Sequence, residues 1–239
     1  MGVKDKFTRT EEKIQIAINT LPWPRSEIIS IPKEEGIGAQ NTSSNQFAIV
    51  QTSAFGTSTM SPVADQLALV GAGATITEKE DGIFILGNGK IEVTVQGGQI
   101  LSLIDIEMNR EIIPKGHKAN RLILYDDQPL YWDAWDVEIY HLETPKELGL
   151  GKTSIVEQGP LRVGLLVEHQ ISEESWIKTT ISLDAYIPSE QTYSDGFKDP
   201  LTYLQFESEV EWHENRRFLK VEFPVDIYSD TVTPFPKLI

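Results

Sequence analysis

The chain has 239 residues, no cysteine, and 21 Lys+Arg against 36 Asp+Glu, a formal charge of −15 with histidine neutral. Hydrophobic residues at 40% suffice for a core, and the length fits one large all-β domain or two ordinary ones. Without cysteine there is no disulfide framework, thiolate metal site or catalytic thiol, and so large an acidic excess repels phosphate backbones and anionic lipid, which excludes nucleic acid and membrane as expected partners.

Residues 1–12, MGVKDKFTRTEE, lack the apolar stretch of a signal peptide and read as a disordered N-terminal segment. No later run approaches the ~20 apolar residues of a membrane span. From Lys13 to Asn19 the chain alternates, with Ile14, Ile16 and Ile18 on one face, the period of a half-buried strand. Leu21-Pro22-Trp23-Pro24 closes it, because proline cannot donate to a ladder, and strand character resumes from Ser26 to Ile31. Pro32 to Ser44 reads as a loop, Phe47 to Gln51 as a strand, and Ser53 to Met60 as a small-residue stretch. Val63 to Ala74 stays unassigned between helix and loop, because Ala and Gly interrupt its apolar run too often to settle on a helix.

Gly87-Asn88-Gly89 separates Gly82–Leu86 from Lys90–Val95, and Asn-Gly tolerates the positive φ of a tight hairpin turn. Gln96-Gly97-Gly98-Gln99 turns again into Ile100–Met108, and Asn109-Arg110 into Glu111–Ile113, which makes an antiparallel meander. Strands are expected at Arg121–Tyr125, Val137–Thr144, Thr153–Glu157, Leu161–Ser172, Trp176–Ala185, Leu204–His213 and Phe218–Phe223. About ten strands with a turn every 8 to 12 residues describe an antiparallel sandwich. The expected organisation is 13–72 as first strands and linker, 73–230 as a β-sandwich with an inserted loop at 187–203, and 231–239 as an atypical tail.

Leu124 to Glu143, LYDDQPLYWDAWDVEIYHLE, is the segment where chemistry concentrates. It sets Asp126, Asp127, Asp133, Asp136 and Glu138 among Tyr125, Tyr131, Trp132, Trp135 and Tyr140. Carboxylates accept hydrogen bonds from sugar hydroxyls, and indole faces pack on the apolar C–H face of a sugar ring. The same composition serves a structural or interface loop, and a calcium site is a third reading, although the spacing lacks the glycine and terminal glutamate of an EF-hand loop. His117, His141, His169 and His213 form no pair at zinc-ligand spacing on one element. His141 lies close enough to the acidic-aromatic segment to contribute there, and His213 reads as polar surface at a hairpin turn. No GxSxG elbow or phosphate loop occurs.

Several runs, in order, resemble one family: Asn19-Thr20-Leu21-Pro22-Trp23-Pro24-Arg25; Gly87-Asn88-Gly89 with Gly97-Gly98 and Ser102-Leu103-Ile104-Asp105; Tyr131-Trp132-Asp133-Ala134-Trp135-Asp136 with Tyr140-His141-Leu142-Glu143; Gly159-Pro160-Leu161-Arg162; and Glu211-Trp212-His213-Glu214-Asn215-Arg216-Arg217-Phe218-Leu219-Lys220-Val221. Together they resemble the non-catalytic β part of glycoside hydrolase family 38 α-mannosidases, of the cytosolic and fungal vacuolar type. YWDAWD and WHENRRFLKV are the specific signals.

The resemblance implies an all-β, antiparallel β-supersandwich of the galactose-mutarotase-like kind, here incomplete. It also implies retaining hydrolysis of α-linked mannose through an aspartate nucleophile, with zinc or another divalent metal in the intact enzyme. The nucleophile, acid/base and metal ligands of that family lie upstream of the β part, so no catalytic or metal residue is assigned here, and the chain alone is expected not to hydrolyse glycosides. Tyr131, Trp132, Asp133, Trp135, Asp136 and His141 are the expected contacts with carbohydrate or with the catalytic domain. Expected partners are mannose-containing glycans and that catalytic domain, in a cytoplasmic or vacuolar setting, with homo-oligomerisation open. A free-standing carbohydrate-binding module and a structural interaction domain are the rivals.

The insertion Ile187–Tyr203 and the ending TVTPFPKLI depart from the family pattern. With the early start of the β part, they fit a truncated or mis-spliced gene product. A continuous upstream reading frame that encodes no barrel would contradict that expectation.

Overall fold

The computed structural model describes residues 16–33, 38–43, 45–59, 63–132, 135–188 and 202–229. The expected disordered segment 1–12, most of the inserted loop and the tail 231–239 lie outside these residues. The chain divides into two compact units, Met1–Leu69 and Val70–Ile239, each built from antiparallel strands.

The first unit holds β1 (Ile16–Ile18), β2 (Arg25–Pro32), β3 (Gln40–Asn41), β4 (Asn45–Thr52), β5 (Thr57–Thr59) and one short helix, α1 (Val63–Ala68). β4 lies between β2 and β3, and β1 pairs with β5. Residues Gln46 to Val50 are all buried, so both faces of β4 are covered and its sequence runs apolar instead of alternating. The fully buried Gln66 of α1 accepts the Ile49 N–H at 2.8 Å, which supplies the buried amide with its partner. Asn19, also buried, donates through Nδ2 to the Trp23 and Ser53 carbonyls and so fixes the double-proline corner.

The second unit opens with the meander. β6 (Thr75–Glu78), β7 (Ile83–Gly87), β8 (Ile91–Gln96), β9 (Gln99–Asp105) and β10 (Arg110–Glu111) lie side by side in chain order. The Asn-Gly turn forms as the sequence requires, with Gly89 at φ +80°. Asn88, 2% exposed, accepts the Lys90 and Ile91 N–H groups through Oδ1 and donates through Nδ2 to the Asp184 carbonyl 96 residues on. One side chain thus shapes the hairpin and ties it to a distant strand.

The remaining strands are β11 (Arg121–Asp126), β12 (Lys146–Glu147), β13 (Lys152–Gln158), β14 (Arg162–Gln170), β15 (Trp176–Asp184), β16 (Leu204–Glu211) and β17 (Arg217–Glu222). They form a four-stranded sheet, β13-β14-β15-β16, and a three-stranded sheet, β12-β11-β17. Leu122, Leu124 and Leu148 on one side meet Ile171 and Ile177 on the other in a buried cluster, with Leu219 packed against it. Across β14 and β15 the inward residues Val163, Leu165, Val167, Ile177, Ile181 and Leu183 are buried, and the outward Arg162 grips Asp184 through two hydrogen bonds of 2.5 and 2.8 Å.

Two expectations are corrected. Val137–Thr144 is no strand. Its central residues Ile139–Glu143 form a 3₁₀ turn, closed by His141 N–H to the Glu138 carbonyl and Thr144 N–H to the His141 carbonyl. Its apolar residues Val137, Ile139 and Leu142 fall at spacings of two and three, share no strand face, and remain exposed. The second correction concerns Trp212–Arg216, which is no hairpin turn: β16 pairs with β15 and β17 with β11, so this connection passes from one sheet to the other.

Asn88→Ala is expected to cost about 2–3 kcal/mol in urea unfolding, because three hydrogen bonds are lost and half-buried backbone groups are left without their partner. His169 supplies a pH signature. Its ring sits so close to Gly98 and Gly151 that a Cβ on either would lie within 3.0 Å of it, and its Nδ1 is buried without a partner. Burial pushes the imidazole pKa down, with the Gly97 carbonyl offsetting part of the effect. The unfolded chain therefore binds more protons below about pH 6.5, and stability present above that pH is lost as the pH falls toward the folded value. His169→Gln is expected to flatten the dependence of unfolding free energy on pH between about 7 and 5; an unchanged slope would show that other groups carry it.

Candidate functional site

β11 ends in Tyr125-Asp126, and the chain then leaves the sheet for an excursion that returns at Lys146. All but one of the expected contact residues that the structure describes lie on the first part of this excursion. Tyr131 and Trp132 are each 75% exposed and Trp135 is 90% exposed. Trp132 adopts φ +63°, a left-handed conformation that is strained for a bulky residue, and its carbonyl accepts the Trp135 and Asp136 N–H groups at 2.7 and 3.1 Å. The turn thereby displays the aromatic rings to solvent. Asp136 is exposed, and Asp133 lies outside the described residues.

His141 is placed differently. Its Nδ1 donates to the Glu138 carbonyl at 2.7 Å, which leaves Nε2 to accept from the Lys220 ammonium at 2.8 Å. The imidazole packs edge-on against Tyr125 and Phe218, with ring centroids 5.1 and 5.2 Å away, and those two rings stack on each other at 5.4 Å. Lys220 also lies over both rings, 5.3 Å from Tyr125 and 5.2 Å from Phe218, in cation–π geometry. Four side chains from β11, the 3₁₀ turn and β17 thus form one anchor. Burial, then the Glu222 carboxylate within 3.3 Å of the hydroxyl, pushes the Tyr125 phenol pKa up. Nearby, the Arg121 guanidinium, bonded at 2.6 Å, holds the Glu147 carboxyl below its ordinary range.

Above this anchor lies an open cavity of about 190 Å³ lined by Asp126, Asp127, Gln128, Glu138, Tyr140, His141, Glu143 and Thr144. Its walls are held from below. Asp126 N–H donates to Thr144 Oγ1 at 3.1 Å, Asp127 N–H to the Arg216 carbonyl at 2.7 Å, and Arg217 approaches Asp126 to 3.5 Å. The volume falls below the ~300–1,000 Å³ of small-molecule pockets, so the depression is too small to enclose an oligosaccharide. It offers carboxylate acceptors and one phenol to a hydroxylated ligand lying across it. The structure therefore brings His141 together with Asp126, Asp127, Glu138 and Tyr140, whereas Tyr131, Trp132, Trp135 and Asp136 do not line the cavity.

Lys220, Phe218 and Arg217 were not foreseen as parts of this region. Their signal was present in WHENRRFLKV, but only the pairing of β17 with β11 sets Phe218 opposite Tyr125 and Arg217 opposite Asp126.

A metal does not fit here. Among the described residues no group of three or more His, Asp or Glu side chains could hold an ion. Both nitrogens of His141 are committed, and Asp126 faces Arg217.

The fold and site define an antiparallel all-β unit with an acidic depression and an aromatic loop at the end of one strand. A family described as glycosyl hydrolases family 38 C-terminal domain matches residues 86–234, and the chain belongs to it. It is 35% identical over 222 residues to human alpha-mannosidase 2C1, covering 91% of this chain and 19% of that protein. The Saccharomyces cerevisiae alpha-mannosidase is 32% identical over 177 residues, covering 70% of this chain and 16% of its own length. Dictyostelium discoideum alpha-mannosidase G is 31% identical over 222 residues, covering 86% and 20%. The chain thus spans about a fifth of the length of these relatives. Among the described residues no helix is long and apolar enough to cross a membrane.

The anchor is testable without any ligand. Lys220→Met keeps the aliphatic stem over the rings but removes the donor to His141, and amide exchange at Ile139–Thr144 is expected to quicken about fivefold. Unchanged exchange would show that ring packing alone holds the turn.

Proposed function

We propose that this chain acts as the β-sandwich part of an α-mannosidase, supporting a catalytic region that supplies the nucleophile, the acid/base and the zinc or other divalent ion. The activity of that enzyme would be hydrolysis of α-linked mannose in glycans, within mannose and oligosaccharide catabolism. The names of the relatives and the family membership support this reading. A cytoplasmic or vacuolar setting agrees with a chain that has no cysteine.

Within that role the connection from β11 to β12 meets carbohydrate or the catalytic domain. The observation that carries the reading is the display of Trp132 and Trp135, 75% and 90% exposed, on the same excursion as the acidic depression around His141. Large aromatic faces left in water are costly unless something covers them, and indole beside carboxylate suits a sugar, whose rings carry both an apolar face and hydroxyl donors. Asp133, Asp136 and Tyr131 would add acceptors and a further ring, and His141 would position the depression instead of touching the ligand.

Calorimetry of the 239-residue chain with mannose oligosaccharides tests the carbohydrate arm. Binding in the millimolar range, weakened about tenfold or more by Trp135→Ala, is expected if the loop contacts sugar directly. Unchanged binding in that variant would move the sugar elsewhere. No binding at all would favour contact with the catalytic domain, or the role of a structural interaction surface, for which the tryptophans would be the anchors.

A further inference from the structure

Asn88-Gly89 is the sole Asn-Gly dipeptide of the sequence. In an open chain this pair is chemically labile, because glycine has no Cβ to keep its backbone nitrogen away from the side-chain carbonyl carbon of the asparagine before it. Attack by the Gly89 nitrogen on Asn88 Cγ forms an N–C bond, breaks the Cγ–Nδ2 bond and releases Nδ2 as ammonia, which carries off the proton lost by Gly89. Water then opens the cyclic imide at one carbonyl to give aspartate or at the other to give isoaspartate. No further reactant is needed.

The fold demands both residues of the pair. Gly89 sits at φ +80°, and a Cβ there would come within 2.7 Å of the Ala72 Cβ, so no larger residue fits without moving the backbone. Asn88 must accept and donate at once: Oδ1 takes the Lys90 and Ile91 N–H groups, each at 3.1 Å, and Nδ2 donates to the Asp184 carbonyl at 2.9 Å. Aspartate would supply only the acceptor.

The same contacts restrain the reaction. To close the ring, Cγ must turn onto the Gly89 nitrogen, which draws Oδ1 and Nδ2 away from all three partners. Three hydrogen bonds of ordinary net strength correspond to about a hundredfold in rate. Asn88 is also only 2% exposed, which keeps out the water that takes the Gly89 proton and opens the imide. Once formed, the product does not fit. A carboxylate in place of the amide sets an oxygen against the Asp184 carbonyl oxygen, two acceptors with no proton between them in a buried place. Isoaspartate lengthens the main chain at a turn already pressed against Ala72.

We propose that Asn88 is a deamidation site gated by the fold, protected while the β7–β8 hairpin stays tied to Asp184 and modified when that hairpin opens. A reversible opening thereby becomes a permanent one, because the modified hairpin can no longer donate to β15. This inference uses none of the residues proposed for carbohydrate and does not rest on the enzyme reading.

The test incubates the full chain at mildly alkaline pH, folded in buffer and unfolded in guanidinium chloride, and follows the mass gain of deamidation at residue 88 by peptide mapping. The folded chain is expected to react at least about a hundredfold more slowly than the unfolded one. After partial reaction in denaturant and return to buffer, the deamidated fraction is expected to be cleaved first by added protease, while the unreacted fraction refolds and resists. Asn88→Asp, which reproduces one product, is expected to lower the urea midpoint, with a deficit that shrinks below about pH 4, where the new carboxyl regains a proton and donates to the Asp184 carbonyl again. The first two measurements use the unaltered chain and carry the test if that variant does not fold. Three results would each overturn the proposal: equal rates in the folded and unfolded chain, a deamidated fraction as resistant to protease as the unreacted one, or an unchanged urea midpoint in Asn88→Asp.

Discussion

The pairing of β11 with β17 is the constraint on which the second unit turns. Six residue pairs, from Arg121 with Glu222 to Asp126 with Arg217, join segments about a hundred positions apart in the chain. On the inward face this pairing sets Leu122 and Leu124 against Val221 and Leu219 and so builds one wall of the core. At the strand end it sets Tyr125 on Phe218, and between them they support His141 and Lys220. A long-range ladder is entropically costly to close, and it is retained only because packing on both faces rewards it. The depression lined by Asp126, Asp127 and Glu138 exists because this ladder ends where it does.

Much of the meander was legible in the sequence because its determinants are local. Asn88-Gly89 and Gly97-Gly98 specify turns, and Ile91, Val93 and Val95 alternate around them, so pairing with the next strand in the chain needs no further information. The errors occurred where the deciding partner is remote. Val137–Thr144 is rich in strand-forming residues, yet it pairs with no strand, and the side chains of Tyr125, Phe218 and Lys220 hold its His141 in a 3₁₀ turn instead. Trp212–Arg216 has the composition of a hairpin turn, yet β17 joins β11, where its Leu219 packs against the core cluster.

The candidate site was legible in composition but not in arrangement. The acidic and aromatic residues lie on one excursion, as their clustering suggested, but the structure sorts them into two groups with different physics. Tyr125 and His141 are held by ring packing and by the Lys220 ammonium, and they shape the floor. Trp132 and Trp135 are turned outward by a left-handed residue and have little of their surface covered. A sequence window cannot distinguish these groups, because the difference arises from β17, which enters from the far end of the chain.

The net charge of −15 also resolves into distinct local effects. Around the depression, carboxylates lie beside a phenol and face water, where they can accept hydrogen bonds from neutral hydroxyl donors; charge there is a matter of acceptor density. Along β16 the glutamates fall one every second residue, each facing outward while its neighbour in the chain continues the core face. Their charge is met locally: Lys178 of β15 stands opposite Glu209 on the same face, and His213 Nε2 lies 2.6 Å from Glu211. Acidic residues of one net charge thus serve as open acceptors at the depression and as partnered surface along the sheet.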